Sequence, residues 1–371
     1  MEIPALDALF ETHEFGRGTL RNRFVMAPMT RMFSPQGVPT ADVCAYYRAR
    51  ARGGAGLIIT EGTYINHPAA NGEPRIPAFH GARPLEAWKR IVDAVHEEGG
   101  MIIPQIWHYG LMRRPGVEPD PSVPGYSAMA IEENGETVVR QMTQQDIDDA
   151  VSAYAEAAEA AERLGFDGVE LHGAHEYLID NFLWEKTNRR SDRYGGSIEN
   201  RTRFAVEVVS AVRRAISRDF PLVLRFSQWK QSDYAARIAA TPDELKRILM
   251  PIAEAGVDYF DASTRRFWEP AFEGSPLTLA AWTAKITGKP VMTVGSIGVE
   301  RAFTVQDEGA GVKPSYARLT DLVEGLKRSD FALAGVGRAL LSDPDWVNKI
   351  RDRRFAEIRP YERAAHETLV V

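Results

Sequence analysis

Three ring-bearing side chains, His172, His175 and Tyr177, fall within six residues, just past the short apolar run Gly168-Val169-Glu170-Leu171. Such a run reads as a buried strand, so the rings are delivered together at its C-terminal end. Three chemistries suit them. The two imidazoles could ligate a metal with Glu170, could be hydrogen-bonded into a wall, or could donate to negative charge developing on a carbonyl oxygen. No other His or Asp motif of a hydrolytic barrel accompanies them, and the first strand offers no His-x-His, which weighs against metal. Tyr177, with an unperturbed pKa of about 10, is protonated at neutral pH and can serve as a general acid.

A second group centres on Arg225, near the end of the apolar run LVLRFS (222–227). Burying an unpaired guanidinium is costly, so Arg225 requires a partner: an anionic or electron-rich ligand, or Asp261 or Glu170 on neighbouring strands. Gly295, Gly335 and Gly337, followed by Arg338, offer backbone N–H groups and a fixed cation to a phosphate, and also suit plain turns. The dinucleotide fingerprint is incomplete, because Gly335-Val336-Gly337-Arg338-Ala339-Leu340 lacks its third glycine.

The elements that must position these residues alternate regularly. Strands are predicted at 23–29, 56–63, 101–108, 167–172, 221–227, 258–263, 290–297 and 331–336. Helices are predicted from Thr40 to the Gly53-Gly54 stop and near 85–99, 143–165, 197–216, 241–256, 278–288 and 318–328. Short apolar strands, each followed by an amphipathic helix, indicate a parallel sheet covered on both faces. Eight such units over 371 residues fit a closed (β/α)₈ TIM barrel. No Pro/Ser/Gly-rich linker divides the chain, so residues 1–371 are expected to form a single domain. The turn Gly16-Arg17-Gly18 predicts an N-terminal β-hairpin able to plug the barrel's bottom. The longest stretch without periodicity, Tyr109 to Met142, is expected to be a lid or binding loop.

On this map the polar residues gather at the C-terminal ends of the strands, where barrel active sites lie. Thr30, Glu61, Gly62, Gln105, Trp107, His108, Gln228, Asp261, Ser263 and Arg265 join the residues already named. That rim suits a flat polar ligand. Apolar residues make up 44% and charged residues 26% of the chain, enough for a sizeable core. The net charge of −6, with basic residues scattered among acidic ones, excludes a nucleic-acid partner. A lone cysteine, Cys44, can build neither a disulfide framework nor a cysteine-ligated cluster, which fits a reducing, cytoplasmic setting. No run reaches the ~18 apolar residues of a membrane helix, and the N-terminus lacks a signal-peptide pattern.

The motifs VMAPMT (25–30), IITEGT (58–63), PQIWH (104–108), HGAHEYLIDNFL (172–183), NRRSDRYGGSIENRTRF (188–204), VLRFS (223–227), TVGSIG (293–298) and GVGRALLSDPDW (335–346) occur in this order. Together they resemble the old yellow enzyme family of flavin-dependent ene-reductases, and the likeness spans essentially the whole chain. DRYGGSIENR is its most specific part. The resemblance implies noncovalent FMN at the barrel mouth. It places Pro28, Met29 and Thr30 against the flavin, Gly62 and Gln105 at its pyrimidine edge, and Arg225 near N1 and O2. Gly295, Ser296, Gly337 and Arg338 fall at the phosphate end. His172 and His175 match the carbonyl-binding pair, and Tyr177 matches the proton donor.

The implied reaction is ping-pong. NAD(P)H reduces the flavin and leaves, an activated alkene binds the same face, hydride passes to its β-carbon, and Tyr177 protonates the α-carbon. The resemblance leaves open oxidative demethylation or dehydrogenation on the same barrel, and flavin binding without turnover. A second branch, with an iron–sulfur cluster and an added nucleotide domain, conflicts with the single cysteine and the end at Val371. Two features depart from the pattern. Glu176 stands where a small residue is common, and the aromatic and arginine segments 226–240 and 261–275 are distinctive. Trp107 and Trp268 are expected at the substrate, although Trp229 and Trp268 could equally pack loops together. The oligomeric state, monomer or homodimer, is open.

Overall fold

The protein is described by a computed structural model covering residues 6–302 and 312–371. A hairpin of β1 (His13–Phe15) and β2 (Gly18–Leu20) precedes the first barrel strand, β3 (Phe24–Met26). There follow α1 (Ala41–Arg52), β4 (Leu57–Tyr64), α2 (Ala82–Glu97) and β5 (Met101–Trp107). Short strands β6 (Gly125–Ser127), β7 (Ile131–Glu133) and β8 (Glu136–Gln141) lead to α3 (Gln144–Leu164), β9 (Val169–Gly173), α4 (Leu178–Leu183) and α5 (Ile198–Ala215). Next come β10 (Leu222–Ser227), α6 (Pro242–Glu254), β11 (Tyr259–Ser263), α7 (Leu279–Thr287) and β12 (Val291–Val294). The last barrel unit is α8 (Leu319–Lys327), β13 (Leu333–Val336) and α9 (Arg338–Ser342). Among the described residues, parallel strands β3, β4, β5, β9, β10, β11, β12 and β13 close a barrel in that order, as the periodicity predicts.

Side chains alternate along each strand between two apolar layers. Val25, Leu57, Ile59, Ile103, Val223, Met292 and Leu333 fill the interior, while Phe24, Ile58, Ile102, Val169, Leu171, Leu222 and Leu224 pack against the helices. The hairpin plugs the bottom. Phe15 and Leu20 belong to the interior cluster, with the Phe15 ring 5.0 Å from that of Tyr259. Its turn needs Gly16, because φ is +60° and an added Cβ would lie 2.5 Å from the Pro221 ring.

Helix starts follow their caps. Thr40, Thr143, Ser197, Thr241 and Thr278 each accept a backbone N–H with the side chain, and Thr143 with Asp146 completes a capping box. Strand β12 stops at Val294, short of the predicted 297. Gly295 (φ +147°) and Ser296 (φ +56°) bend the backbone out of the sheet there.

The stretch 109–142 is more ordered than a plain loop. It contains a three-stranded sheet, with β8 between β6 and β7, and the β7–β8 turn is Asn134-Gly135 with both φ angles positive. Buried Arg113 gathers the carbonyl oxygens of Asn71, Val117, Asp120 and Val123 around one guanidinium. Among the described residues no helix is long and apolar enough to cross a membrane.

The plug carries its own test. Phe15→Ala would open a cavity under the barrel and is expected to cost about 3–5 kcal/mol, lowering the urea midpoint while the far-UV circular dichroism of the folded state is kept.

Candidate functional site

Above the apolar layer, strands β5, β9, β10 and β11 turn polar on their inner faces. Gln105 Nε2 donates to Glu170 Oε1 at 2.8 Å, and Arg225 Nη1 lies 3.0 Å from Asp261 Oδ2. All four residues are buried. Burial, then the neighbouring Asp261, pushes the Glu170 carboxyl well up, against the opposing effect of Arg225. Glu170 therefore keeps its proton, while Asp261 faces the guanidinium. The Arg225–Asp261 contact is an ion pair outside hydrogen-bond geometry, and Arg225 Nε and Nη1 make no hydrogen bond. Arg225 Nη2 donates to Ser263 Oγ at 3.2 Å. Of the expected partners the structure shows Asp261, and the same arginine also lines the cavity above.

The ring groups sit one level higher. His172 stacks on Trp107, with centroids 5.8 Å apart and planes at 17°, and lies 4.7 Å from the Tyr177 ring. Its Nδ1 accepts from the Ala174 N–H at 3.3 Å, so its proton sits on Nε2. The next residues reverse the chain through two left-handed positions, His175 (φ +59°) and Glu176 (φ +69°). Neither is glycine, and such conformations persist only when their surroundings hold them. Here His175 N donates to Ser227 Oγ, Glu176 N donates to Asp180 Oδ2 at 2.8 Å, and Asn181 Nδ2 donates to Glu176 O at 2.6 Å. A positive φ also explains why a small residue is at home at position 176.

The same reversal turns His175 toward β11, where its Nε2 lies 2.9 Å from Ser263 Oγ and its ring is 4.3 Å from that of Trp229. His172 is thus the imidazole that presents Nε2 beside Tyr177; His175 would have to leave Ser263 to present its own Nε2 to a ligand. Burial first, and the Arg225 charge second, hold both imidazoles well below the ordinary histidine value, so both are neutral. Burial pushes the Tyr177 hydroxyl up to about 12, opposed by the hydrogen bond from Gln231.

A cavity of about 560 Å³ runs from these rings across the mouth. Pro28, Met29 and Thr30 form one wall, and Gly295, Ser296, Gly337 and Arg338 close the far end. There Arg338 reaches Ser296 Oγ at 3.4 Å and the Arg301 carbonyl at 2.6 Å. The Thr30 wall is held by Glu61, whose Oε2 accepts from the backbone N–H of Arg31 (2.8 Å) and Met32 (3.2 Å). Gln105 and Trp107 line a narrower recess with His172 and Tyr177.

Gly62 is placed differently: an added Cβ would meet the Trp107 indole at 2.6 Å, so its lack of a side chain seats that ring. Trp268 does not line the cavity. Its ring packs edge-on to Phe267 and under Arg318, so the loop-packing alternative describes it, while Trp229 is the tryptophan that reaches the site. Tyr109 and Gln231 are among the lining residues that the sequence did not single out. Tyr109 follows the PQIWH motif directly, which was the available signal; Gln231 had none.

The model of the NADH:flavin oxidoreductase / NADH oxidase family matches residues 8–357. The chain belongs to that family. It is 34% identical over 360 residues to the NADH oxidase of Thermoanaerobacter brockii, an alignment covering 95% of this chain and 52% of that protein. The chain therefore spans about half the length of that relative. Morphinone reductase in complex with tetrahydroNAD superposes with a TM-score of 0.80 at 26% identity, covering 97% of this chain and 94% of that one. The old yellow enzyme homologue from Zymomonas mobilis gives 0.79 at 25%, covering 97% and 96%. The old yellow enzyme resemblance read from the motifs is thereby established.

The residues present fit FMN. Arg225, with two nitrogens lacking a hydrogen bond, faces the cavity as an electron-rich ring edge would require. The glycine and arginine end suits a phosphate.

Glu61 gives this site a pH dependence. Burial raises its carboxyl to about 7, so between the ordinary carboxylate range and pH 7 the folded state holds a proton that the unfolded state has lost. Stability from this group is full below about pH 4.5 and declines as pH rises to 7, by roughly 3 kcal/mol. Urea titrations should show the wild-type midpoint falling between pH 5 and pH 8 more than that of Glu61→Gln.

Proposed function

We propose that this chain is an FMN-dependent oxidoreductase that uses NAD(P)H to reduce carbon–carbon double bonds activated by a carbonyl or similar group. One observation carries the reading: a protonated phenol, Tyr177, and a neutral imidazole N–H on His172 converge on one recess beside the cavity that suits FMN. Bound FMN, once reduced by NAD(P)H, supplies the hydride.

The chain's own residues do the rest. His172 donates to the carbonyl oxygen of the substrate, with His175 as the second donor, and stabilises the enolate-like charge that grows there. Tyr177 gives its proton to the α-carbon. Arg225 offsets negative charge on the flavin edge, Gln105 and Gly62 belong to the same edge, and Thr30 adjoins the ring. Pro28 and Met29 support it, while Gly295, Ser296, Gly337 and Arg338 take its phosphate. Trp107 walls the recess, and Tyr109 and Trp229 line the cavity beside it.

Support comes from the family and from the neighbours' names, one a reductase bound to a reduced nicotinamide analogue. On this reading residues 1–371 act as one FMN-binding domain, and the single cysteine suits a cytoplasmic setting. The substrate is a small molecule.

An absorbance spectrum tests the cofactor. Oxidised-flavin bands that bleach anaerobically with NADH or NADPH are expected, and a colourless protein that FMN cannot reconstitute would end the proposal. Tyr177→Phe should then slow reoxidation by 2-cyclohexen-1-one about 10²-fold or more while bleaching by NAD(P)H keeps its rate. Stopped-flow absorbance separates the two.

A further inference from the structure

The segment after β10, residues 228–240, crosses the mouth without regular secondary structure, yet it is tied down at several points. Gln228 Oε1 accepts from Ile238 N (2.8 Å) and Ala239 N (3.1 Å), folding the strap on itself. Lys230, fully buried, donates to Asp180 Oδ1 at 2.6 Å. Ser232 gives its N–H (2.8 Å) and hydroxyl (2.6 Å) to the two carboxylate oxygens of Glu176. Glu176 and Asp180 flank the start of α4, the helix that Tyr177 caps. The strap is therefore fastened to the same turn that sets Tyr177.

Between the two fastenings stands Gln231, whose Nε2 points to the Tyr177 hydroxyl at 3.5 Å. On the other side the Tyr109 ring packs edge-on to that of Tyr177, with centroids 5.1 Å apart. A phenol oxygen has one proton and two acceptor directions. With Gln231 donating to one acceptor direction and the Tyr109 ring packed on the other side, the proton of Tyr177 itself is left to point into the recess. Once that proton leaves, the Gln231 amide faces the oxyanion, where a hydrogen bond is stronger. Such help matters here, because burial opposes charge on this oxygen.

We propose that Gln231 is a positioning residue for proton transfer from Tyr177, held in place by the Glu176–Ser232 and Lys230–Asp180 fastenings. The inference rests on the reading of Tyr177 as proton donor. In that step the Tyr177 O–H bond breaks, a C–H bond forms at the α-carbon, and the electron pair stays on the phenol oxygen until water returns a proton. The hydride added to the β-carbon derives from NAD(P)H by way of FMN. The other titratable groups facing Tyr177 are Tyr109, His172, Glu73 and Glu176.

The test uses FMN-loaded protein and measures each half-reaction by stopped flow, with NADH or NADPH as reductant and 2-cyclohexen-1-one as the alkene. Gln231→Leu should slow reoxidation by the alkene on the order of tenfold and leave reduction unchanged. Gln231→Glu should be slower still at pH 8 and recover as pH falls through about 6 to 4, because a protonated carboxyl regains the donor. Wild type should lack that limb. In the Tyr177→Phe background, Gln231→Leu should add nothing. If Tyr177→Phe alone reoxidises at the wild-type rate, the proton-donor reading fails. If Tyr177→Phe is slow but both Gln231 variants match wild type, this inference fails and the reading stands. A loss shared equally by both half-reactions would make Gln231 a packing residue and would also overturn the inference.

Discussion

A guanidinium buried at the mouth of a barrel must be neutralised without being consumed, and the site is arranged around how Arg225 meets that demand. Asp261 balances its charge at 3.0 Å but in a geometry that leaves two nitrogens without a hydrogen bond. Glu170, kept protonated by burial and by Asp261, adds bulk and a dipole without adding a second negative charge. Had both carboxyls been ionised, the layer would carry excess negative charge beneath the cofactor and repel the electrons the flavin must accept. The layer below is apolar and plugged by the hairpin.

The opposite half of the barrel does the reverse. Strands β12, β13, β3 and β4 bring small or apolar inner residues, among them Ala27, Val294 and Gly335. An added Cβ at Gly335 would lie 2.4 Å from Val294, so no side chain can rise there. A flat ring is thus offered charge and donors along one edge and room along another. That asymmetry comes from inner-face residue choice alone, since the strands themselves pair in one uniform parallel barrel.

The barrel was legible because buried parallel strands make continuous apolar runs, and each was found to within a few residues. What the sequence concealed was short or neutral. Helix α4 has six residues, all buried, and so carries no polar face to reveal a helical period. The sheet within 109–142 has strands too short to alternate clearly, and its Asn134-Gly135 turn went unremarked in the sequence. Arg225 was readable as a residue needing a partner; that the partner would be both Asp261 and the cavity depended on geometry across three strands. Trp268 misled because an aromatic beside the mouth looks the same whether it faces a ligand or a neighbouring loop. Gln231 was silent, since an amide in a loop has no pattern until the fold brings it to a tyrosine 54 residues away.

Helix α4 moors two of the segments that border the recess. Asn181 Oδ1 accepts from Leu111 N and Ser127 Oγ in the long insertion, and Nδ2 of the same amide fixes the carbonyl of Glu176, whose carboxylate holds the strap. Two surface segments of separate origin in the chain thus share one anchor of six residues. Divergence can rewrite the outer parts of either segment without disturbing Tyr177, provided the anchor keeps its acid and amide groups. For anyone exchanging loops between relatives, the transferable module is the strap together with β9 and α4. A strap moved alone would arrive with nothing to hold it.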